Sequence, residues 1–139
     1  IEELTVKDNL KLWGVWQSEH RELLLSSFEL EELLKTEVRK LSGGMKRRLS
    51  IACALAQWPP ILLLDEPTTA LDLYYKDNIQ QWLMQYRRMN GIVLLTSHDE
   101  NEILSCDRCL IMKQGKLTEL TGEDLTIEGI RNEIITPDK

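Results

Sequence analysis

Two carboxylates, Asp65 and Glu66, directly follow the apolar residues 61–64, which read ILLL. A short continuous apolar run is typical of a strand that is covered on both faces in a parallel sheet. The two carboxylates are therefore expected at the carboxyl edge of a sheet, where open α/β sheets bind ligands. In that position an aspartate can hold a hydrated Mg²⁺ ion, and a neighbouring glutamate can orient or deprotonate a water molecule.

A histidine follows a second apolar run in the same way. Residues 92–95 predict another buried strand, and Thr96, Ser97 and His98 come directly after it. The carboxyl ends of parallel strands meet at one edge, so the imidazole of His98 is expected at the same edge as the carboxylates. Either feature alone is more often a cap or a solvated strand end, because charged groups usually stay at the surface.

The residues Ser42, Gly43 and Gly44 open a predicted helix. Two glycines let a ligand approach the backbone closely, and the free N–H groups and positive dipole end of a helix favour an anion. The alternative is a serine cap followed by a flexible hinge, since serine is a common helix cap. The motif by itself leaves both interpretations open.

The first part of the chain, residues 1–57, predicts helices that position this motif. The last of them runs from the glycines to about Gln57, where two prolines stop it. Two sets of side chains are expected on opposite faces of that helix: Met45, Leu49, Ala52 and Ala56 facing inward, and Lys46, Arg47 and Arg48 turned away into solvent. The three basic residues are better explained as a solvated face than as a nucleic-acid patch.

The second part, residues 58–139, alternates predicted strands with helices. Asp72 predicts the N-cap of a helix that Asn90 and Gly91 close, and Gln114 with Gly115 predicts a tight turn between two strands. The fold class is therefore α/β, with a helical subdomain at 1–57 and an α/β part at 58–139. The last residues are expected to form a surface helix and a frayed end.

Composition narrows the class of protein. The 139 residues are 42% hydrophobic and 29% charged, which is globular composition, and the net charge of −6 disfavours nucleic acid as a partner. The start of the chain lacks a secretory signal, and three cysteines are an odd count, so we expect reduced thiols and a cytosolic location. Cys106 and Cys109 form one C-x-x-C pair, which without further ligands is a poor zinc site.

Four blocks together resemble the ATP-binding cassette (ABC) ATPases in order and spacing. They are LSGGMKRR at 41–48, ILLLDEP at 61–67, TTALD at 68–72 and TSHD at 96–99. They look like the signature motif, the Walker B strand with its adjacent glutamate, the D-loop and the switch histidine of that family. The joint match is far more specific than any block alone, and the resemblance extends from about Leu4 to Leu120.

The resemblance implies roles for the residues at the predicted sheet edge. Asp65 would hold Mg²⁺ through water, Glu66 would be the general base, and His98 would contact the γ-phosphate of ATP. These roles suit phosphoryl transfer, in which catalysis is mainly positioning and neutralisation of charge.

The resemblance also implies a site shared between two nucleotide-binding domains. Ser42, Gly43 and Gly44 would bind the γ-phosphate of ATP held by the opposite domain, and Asp72 would communicate across the dimer. The implied partners are therefore a second nucleotide-binding domain, in a homodimer or heterodimer, and a transmembrane permease, with no nucleic acid.

Two departures from the family pattern matter. The sequence G-x-x-x-x-G-K-[ST], whose backbone cradles phosphates, occurs nowhere in the chain. The chain thus resembles the C-terminal half or more of a nucleotide-binding domain, without Walker A and the Q-loop, in a partial P-loop NTPase-like fold with an incomplete, mostly parallel sheet. We expect this piece alone to be inactive. The second departure is Leu73, where the family commonly has proline.

The family resemblance predicts a transporter ATPase, more specifically an exporter, located on the cytoplasmic face of the membrane through its permease. One alternative is an ABC ATPase that acts in DNA repair or translation, although the coiled-coil insertion of the repair type does not occur between Thr5 and Ser42. Another is an interaction module that lends its serine and glycines to a partner's nucleotide without catalysis. Glu66 and His98 argue against such a module.

Overall fold

A computed structural model describes residues 1–69 and 71–135. The chain divides into two compact units, with bounds Ile1–Thr96 and Ser97–Lys139. Ala70 of the predicted D-loop and residues 136–139, on which part of the predicted C-terminal helix and frayed end falls, lie outside the described residues. The boundary predicted between residues 57 and 58 falls within the first unit. The division into a helical subdomain and an α/β part therefore stays a prediction.

The first unit begins with helices joined by short turns. They are α1 (Val6–Leu12), α2 (Arg21–Ser27) and α3 (Gly43–Ala54), with single 3₁₀ turns at Val15–Gln17, Glu31–Leu33 and Val38–Lys40. Thr5 caps α1, since its Oγ1 accepts from the backbone N–H of Asp8 at 3.1 Å. Gly14 follows the helix with a φ of 82°, a left-handed conformation that favours glycine.

Helix α3 differs from the prediction in its end and in one buried side chain. It stops at Ala54 rather than near Gln57, because the chain turns before the prolines and Trp58 adopts a φ of 47°. Lys46 and Arg47 remain partly exposed, but the expectation that Arg48 turns away is wrong, since it is only 4% exposed. The physical reason is helical spacing: position 48 lies three residues after 45 and four before 52, on the inward face.

Two parallel strands follow α3 in the first unit. Strands β1 (Ile61–Asp65) and β2 (Ile92–Thr96) pair residue by residue from Ile61 with Ile92 to Asp65 with Thr96. The prediction that both faces are covered is wrong within residues 1–69 and 71–135, where only one face of the two strands is covered. On that face, Leu62 and Leu64 are buried. The alternate side chains of both strands are more than half exposed: Ile61, Leu63, Ile92 and Leu94. The covered face belongs to one apolar cluster with the helices.

Helix α4 (Leu73–Arg88) connects the two strands. Helical spacing in the sequence predicts one apolar face of Tyr75, Ile79, Leu83 and Tyr86; the last three are buried, and Tyr75 is partly exposed. A Cβ added to Gly91 would lie only 2.2–2.8 Å from atoms of the Tyr86 ring. Glycine is therefore required where the chain leaves α4 and enters β2, because any side chain would displace a buried aromatic ring.

The second unit contains a helix and an antiparallel hairpin. Helix α5 (Glu100–Leu104) is capped by Asp99, and β3 (Cys109–Lys113) pairs with β4 (Lys116–Leu120). The predicted tight turn is confirmed, since Gln114 and Gly115 both have positive φ, at 47° and 77°. A 3₁₀ turn (Gly122–Asp124) and helix α6 (Ile127–Ile135) complete the unit.

The small core of this second unit consists of Cys109, Ile111, Leu120 and Ile130, which are all buried. On the hairpin, the Arg108 guanidinium donates two hydrogen bonds to the carboxylate of Glu119, at 2.7 and 3.0 Å. In the described parts of both units, no helix is long and apolar enough to cross a membrane.

The position of Leu73 explains why proline is compatible with this fold. Leu73 is the first residue of α4 and 75% exposed, and the preceding Asp72 is extended at φ −70° and ψ 167°. Proline is favoured at the first helical position, and the residue before it is favoured in an extended conformation.

We therefore predict that Leu73→Pro stabilises the chain by about 0.4–1 kcal/mol, because it restricts the unfolded state at no cost to the native one. Urea denaturation measures the change. Lys76→Pro is the matched control: it removes the hydrogen bond from the Lys76 N–H to the Asp72 carbonyl, so it should cost about 3 kcal/mol. If both prolines destabilise the chain equally, α4 does not begin at residue 73.

Candidate functional site

Asp65 and Glu66 are held at the carboxyl end of β1 by a threonine on the neighbouring strand. Because the strands pair in register, Thr96 lies opposite Asp65, and its Oγ1 donates to Asp65 Oδ1 at 2.5 Å. The Glu66 N–H donates to the carbonyl oxygen and to Oγ1 of the same threonine, at 3.2 and 3.1 Å. One hydroxyl therefore ties both acidic residues to the end of β2.

The backbone turns sharply at Glu66. Its φ is 45°, a left-handed conformation that is uncommon for a residue with a side chain and often occurs at functional sites. The Thr69 hydroxyl donates to Glu66 Oε2 at 2.9 Å, and the Thr69 N–H donates to the Glu66 carbonyl at 3.3 Å. The Glu66 carboxylate is thus oriented by the loop that follows it while remaining partly exposed to water.

Ser42, Gly43 and Gly44 lie at the N-terminus of α3. Ser42 is exposed and acts as the cap, since its Oγ accepts from the Met45 N–H at 3.2 Å. A Cβ added to Gly43 would meet no atom within 4 Å, so the backbone here is open to an approaching group. The geometry is compatible with both interpretations of the motif, a helix cap and an anion-binding helix end.

The start of α3 contacts the loop that follows β1. A Cβ added to Gly44 would lie 2.9 Å from Leu71 Cδ2, so glycine permits the helix to approach this loop closely. The guanidinium Nη1 of Arg47 donates to the Asp65 carbonyl at 3.3 Å. The first unit therefore brings the serine–glycine motif, Asp65 and Glu66 into one connected region.

Asp72 and His98 complete the set of predicted site residues. Asp72 is exposed and caps α4, because its Oδ1 accepts from the Tyr75 N–H at 3.1 Å. It shares the first unit with Asp65 and Glu66, seven residues after the former. His98 belongs to the second unit, where it is exposed and follows β2 by two residues.

The donor set at Asp65 fits a magnesium ion bound largely through water. Among residues 1–69 and 71–135, no three His, Cys, Asp or Glu side chains are grouped as a metal site. Magnesium is typically held in phosphoryl-transfer sites by one or two carboxylates, waters and substrate phosphates, not by a full protein cage. An exposed Asp65 carboxylate beside Glu66 and the Thr96 hydroxyl supplies hard oxygen donors of this kind.

The C-x-x-C pair of the second unit has thiols that favour the protonated form. Burial raises the pKa of Cys106 and of Cys109, and the Cys106 thiol donates to the Glu102 carbonyl at 3.4 Å. A metal-ligating or redox-active cysteine needs a lowered pKa, since the thiolate is the ligand and the nucleophile. The structure therefore supports a packing role for this pair.

Three residues of the site, Thr69, Thr96 and Arg47, were not assigned a role by sequence reasoning. The pairing of Thr96 with Asp65 could have been found, because each is the fifth residue of its strand and the strands pair in parallel. Arg47 carried no such signal: on the predicted helix it is one of three adjacent basic residues, and only the packing of α3 against the loop brings it to the Asp65 carbonyl.

Comparisons with known proteins agree with this geometry. The ABC transporter family matches residues 1–69. The Nod factor export ATP-binding protein I of Sinorhizobium fredii is 39% identical over 123 residues, covering 82% of this chain and 36% of that protein. The energy-coupling factor transporter ATP-binding protein EcfA1 of Mycoplasmoides gallisepticum is 42% identical over 88 residues, covering 63% of this chain and 32% of that protein.

A solved structure gives the same result for the fold. A dimeric ATP-binding cassette in a post-hydrolysis state, bound to ADP and phosphate, matches with a TM-score of 0.76 at 30% identity. The match covers 88% of this chain and 59% of that one. The chain spans about a third of the length of the two curated relatives above. The family match over residues 1–69, these relatives and the cassette fold show that the chain belongs to the ABC transporter family, as part of a nucleotide-binding domain.

Proposed function

We propose that the complete protein containing these residues hydrolyses ATP to drive transport across a membrane. The observation that carries the proposal is the pair Asp65 and Glu66, held by Thr96 at the carboxyl end of β1 and joined to the start of α3. Relatives named as ATP-binding proteins of transporters support it. The family resemblance and the relative named as a Nod factor export protein favour export as the direction.

Glu66 would act as the general base. Its carboxylate takes a proton from water as the water oxygen attacks the γ-phosphorus, the bond from that phosphorus to the β–γ bridging oxygen breaks, and ADP and phosphate leave. The hydrogen bond from Thr69 and the turn at Glu66 restrict the carboxylate to one region of the site, which is the condition for efficient proton transfer.

Asp65 would hold Mg²⁺ through water, and the ion, when bound, neutralises negative charge on the ATP phosphates. The Thr96 hydroxyl keeps the Asp65 carboxylate oriented at the strand end. His98 would contact the γ-phosphate, for which its exposure directly after β2 is suitable. The imidazole would then add a hydrogen bond to the oxygens that gain charge during transfer.

The site would be shared between two nucleotide-binding domains. Ser42, Gly43 and Gly44 offer a helix N-terminus whose backbone is open to solvent, and this end would face ATP held by the partner domain. Asp72, exposed at the start of α4, would act across the same interface. The partner domain and a transmembrane permease would place the protein on the cytoplasmic face of a membrane.

We expect the 139-residue chain alone to bind ATP weakly and not to hydrolyse it, because its sequence has no G-x-x-x-x-G-K-[ST] loop to cradle the phosphates. Isothermal titration calorimetry with Mg-ATP should detect no micromolar site. Tight binding with turnover by this chain would show that its phosphate site lies elsewhere.

For the complete subunit, we predict that Glu66→Gln preserves ATP binding and lowers hydrolysis by about 10²- to 10⁴-fold, since the amide keeps the shape of the side chain but cannot accept the proton. Phosphate release under saturating ATP measures the loss. Glu32→Gln makes the same change at an exposed position and should retain full activity. Near-normal hydrolysis by Glu66→Gln would assign the base to another residue.

We also predict that Ser42→Arg leaves ATP binding by the monomeric subunit nearly intact but abolishes ATP-driven dimerisation and hydrolysis. A bulky cation at residue 42 would block the close approach that the following glycines permit. Nucleotide titration and analytical ultracentrifugation separate the two effects.

The matched control is Ser50→Arg, which adds the same charge to another exposed position of α3 and should dimerise normally. If Ser42→Arg instead loses ATP binding as a monomer, Ser42 acts on the nucleotide of its own chain and the site is not shared.

A further inference from the structure

Arg48 is a buried charge in a helix whose neighbouring basic residues are partly exposed. Its guanidinium Nη1 donates to the Phe28 carbonyl at 3.0 Å and to Glu29 Oε2 at 2.9 Å, and the group lies 4.1 Å from the centroid of the Tyr75 ring. Its Nε has no hydrogen-bond partner among residues 1–69 and 71–135. A buried arginine with an incomplete set of partners adds little to stability, so its contacts point to another role.

The partner Glu29 occupies a position that normally favours glycine. It follows α2 with a φ of 51°, and the hydrogen bonds from Glu29 N–H to the Ser26 carbonyl and from Leu30 N–H to the Leu25 carbonyl form a Schellman motif. A glutamate there costs backbone strain that glycine would avoid. Its carboxylate joins two helices, because Oε2 accepts from Arg48 on α3 and Oε1 accepts from the Tyr74 hydroxyl on α4 at 2.9 Å.

These contacts converge on the first turn of α4. Tyr74 and Tyr75 are its second and third residues, and the Tyr75 N–H is the group that the Asp72 carboxylate caps. Arg48 therefore reaches Asp72 through one residue, with Glu29 and Tyr74 as a parallel connection. The same α3 carries Ser42 at its start.

We propose that Arg48 is a positioning residue for ATP hydrolysis: it fixes the first turn of α4, and through it Asp72, relative to the helix that carries Ser42. The inference rests on the proposed function, since Asp72 and Ser42 are assigned to the shared site there. A planar guanidinium suits this task, because it can stack on Tyr75 and donate to two oxygens at once, which an ammonium group cannot do.

The test introduces Arg48→Lys and Glu29→Gly separately into the complete subunit. For each variant, the kcat of ATP hydrolysis and the KM for ATP are compared with those of the unaltered subunit. Both variants should lower kcat by about 2- to 30-fold, the range for residues that couple sites without touching a ligand, with KM unchanged. Glu29→Gly relieves the strained backbone, so it tests the contact with a variant that is expected to stay folded even if Arg48→Lys does not. Tyr75→Phe keeps the ring under the guanidinium and should retain the kcat of the unaltered subunit.

A double-mutant cycle with Asp72→Asn separates positioning from general destabilisation. Asparagine caps helices as well as aspartate does but lacks the charge. If Arg48 acts through Asp72, Arg48→Lys and Glu29→Gly should cause no further loss of kcat in the Asp72→Asn background. The same fold-loss in both backgrounds would overturn the inference and leave Arg48 a merely structural residue.

The outcomes also distinguish this inference from the proposed function. Two results would contradict the roles proposed for the shared site: no ATP hydrolysis by the unaltered subunit, or an unchanged kcat for Asp72→Asn. Either result would also overturn the inference about Arg48, because it rests on those roles. Hydrolysis that depends on Asp72 but not on Arg48 and Glu29 contradicts the inference alone.

Discussion

The in-register parallel pairing of β1 with β2 is the constraint on which the rest of the site depends. It sets Thr96 opposite Asp65, so that one hydroxyl orients the aspartate and accepts from the Glu66 backbone. A slip of one residue would turn the inward side chains outward and place a leucine or serine beside Asp65. The buried face of α4, with Gly91 making room for Tyr86, keeps the two strands in this register.

Two contacts join helix α3 to the carboxyl end of β1 and the loop that follows it, one permitted by a small residue and one made by a long side chain. Gly44 allows the helix to approach Leu71, and Arg47 extends far enough to reach the Asp65 carbonyl. The backbone at Gly43 is open at the N-terminus of α3, while these contacts hold the helix in place. A helix end held in this way would suit the proposed site shared with a second domain, because binding energy is then not lost to ordering the helix.

Buried charge and backbone strain are concentrated near α3 and α4 rather than spread through the first unit. Arg48 and the left-handed Glu29 both cost stability, and the proposed base Glu66 is itself left-handed. The remaining core is apolar and packed by ordinary aliphatic and aromatic side chains. Stability thus comes from the apolar cluster, while the polar contacts determine where the helix ends and loops lie.

The sequence by itself determined the α/β class, the strand that begins at Ile61, the cap Asp72 and the family, because caps, apolar runs and motifs are local patterns. Only the tertiary structure decided that one face of β1 and β2 is exposed, that Thr96 holds Asp65, and that Arg48 is buried against Tyr75. Each of these depends on which element packs on which. Distant residues meet only after the chain folds, and a run of three basic residues looks the same in solvent as in a core.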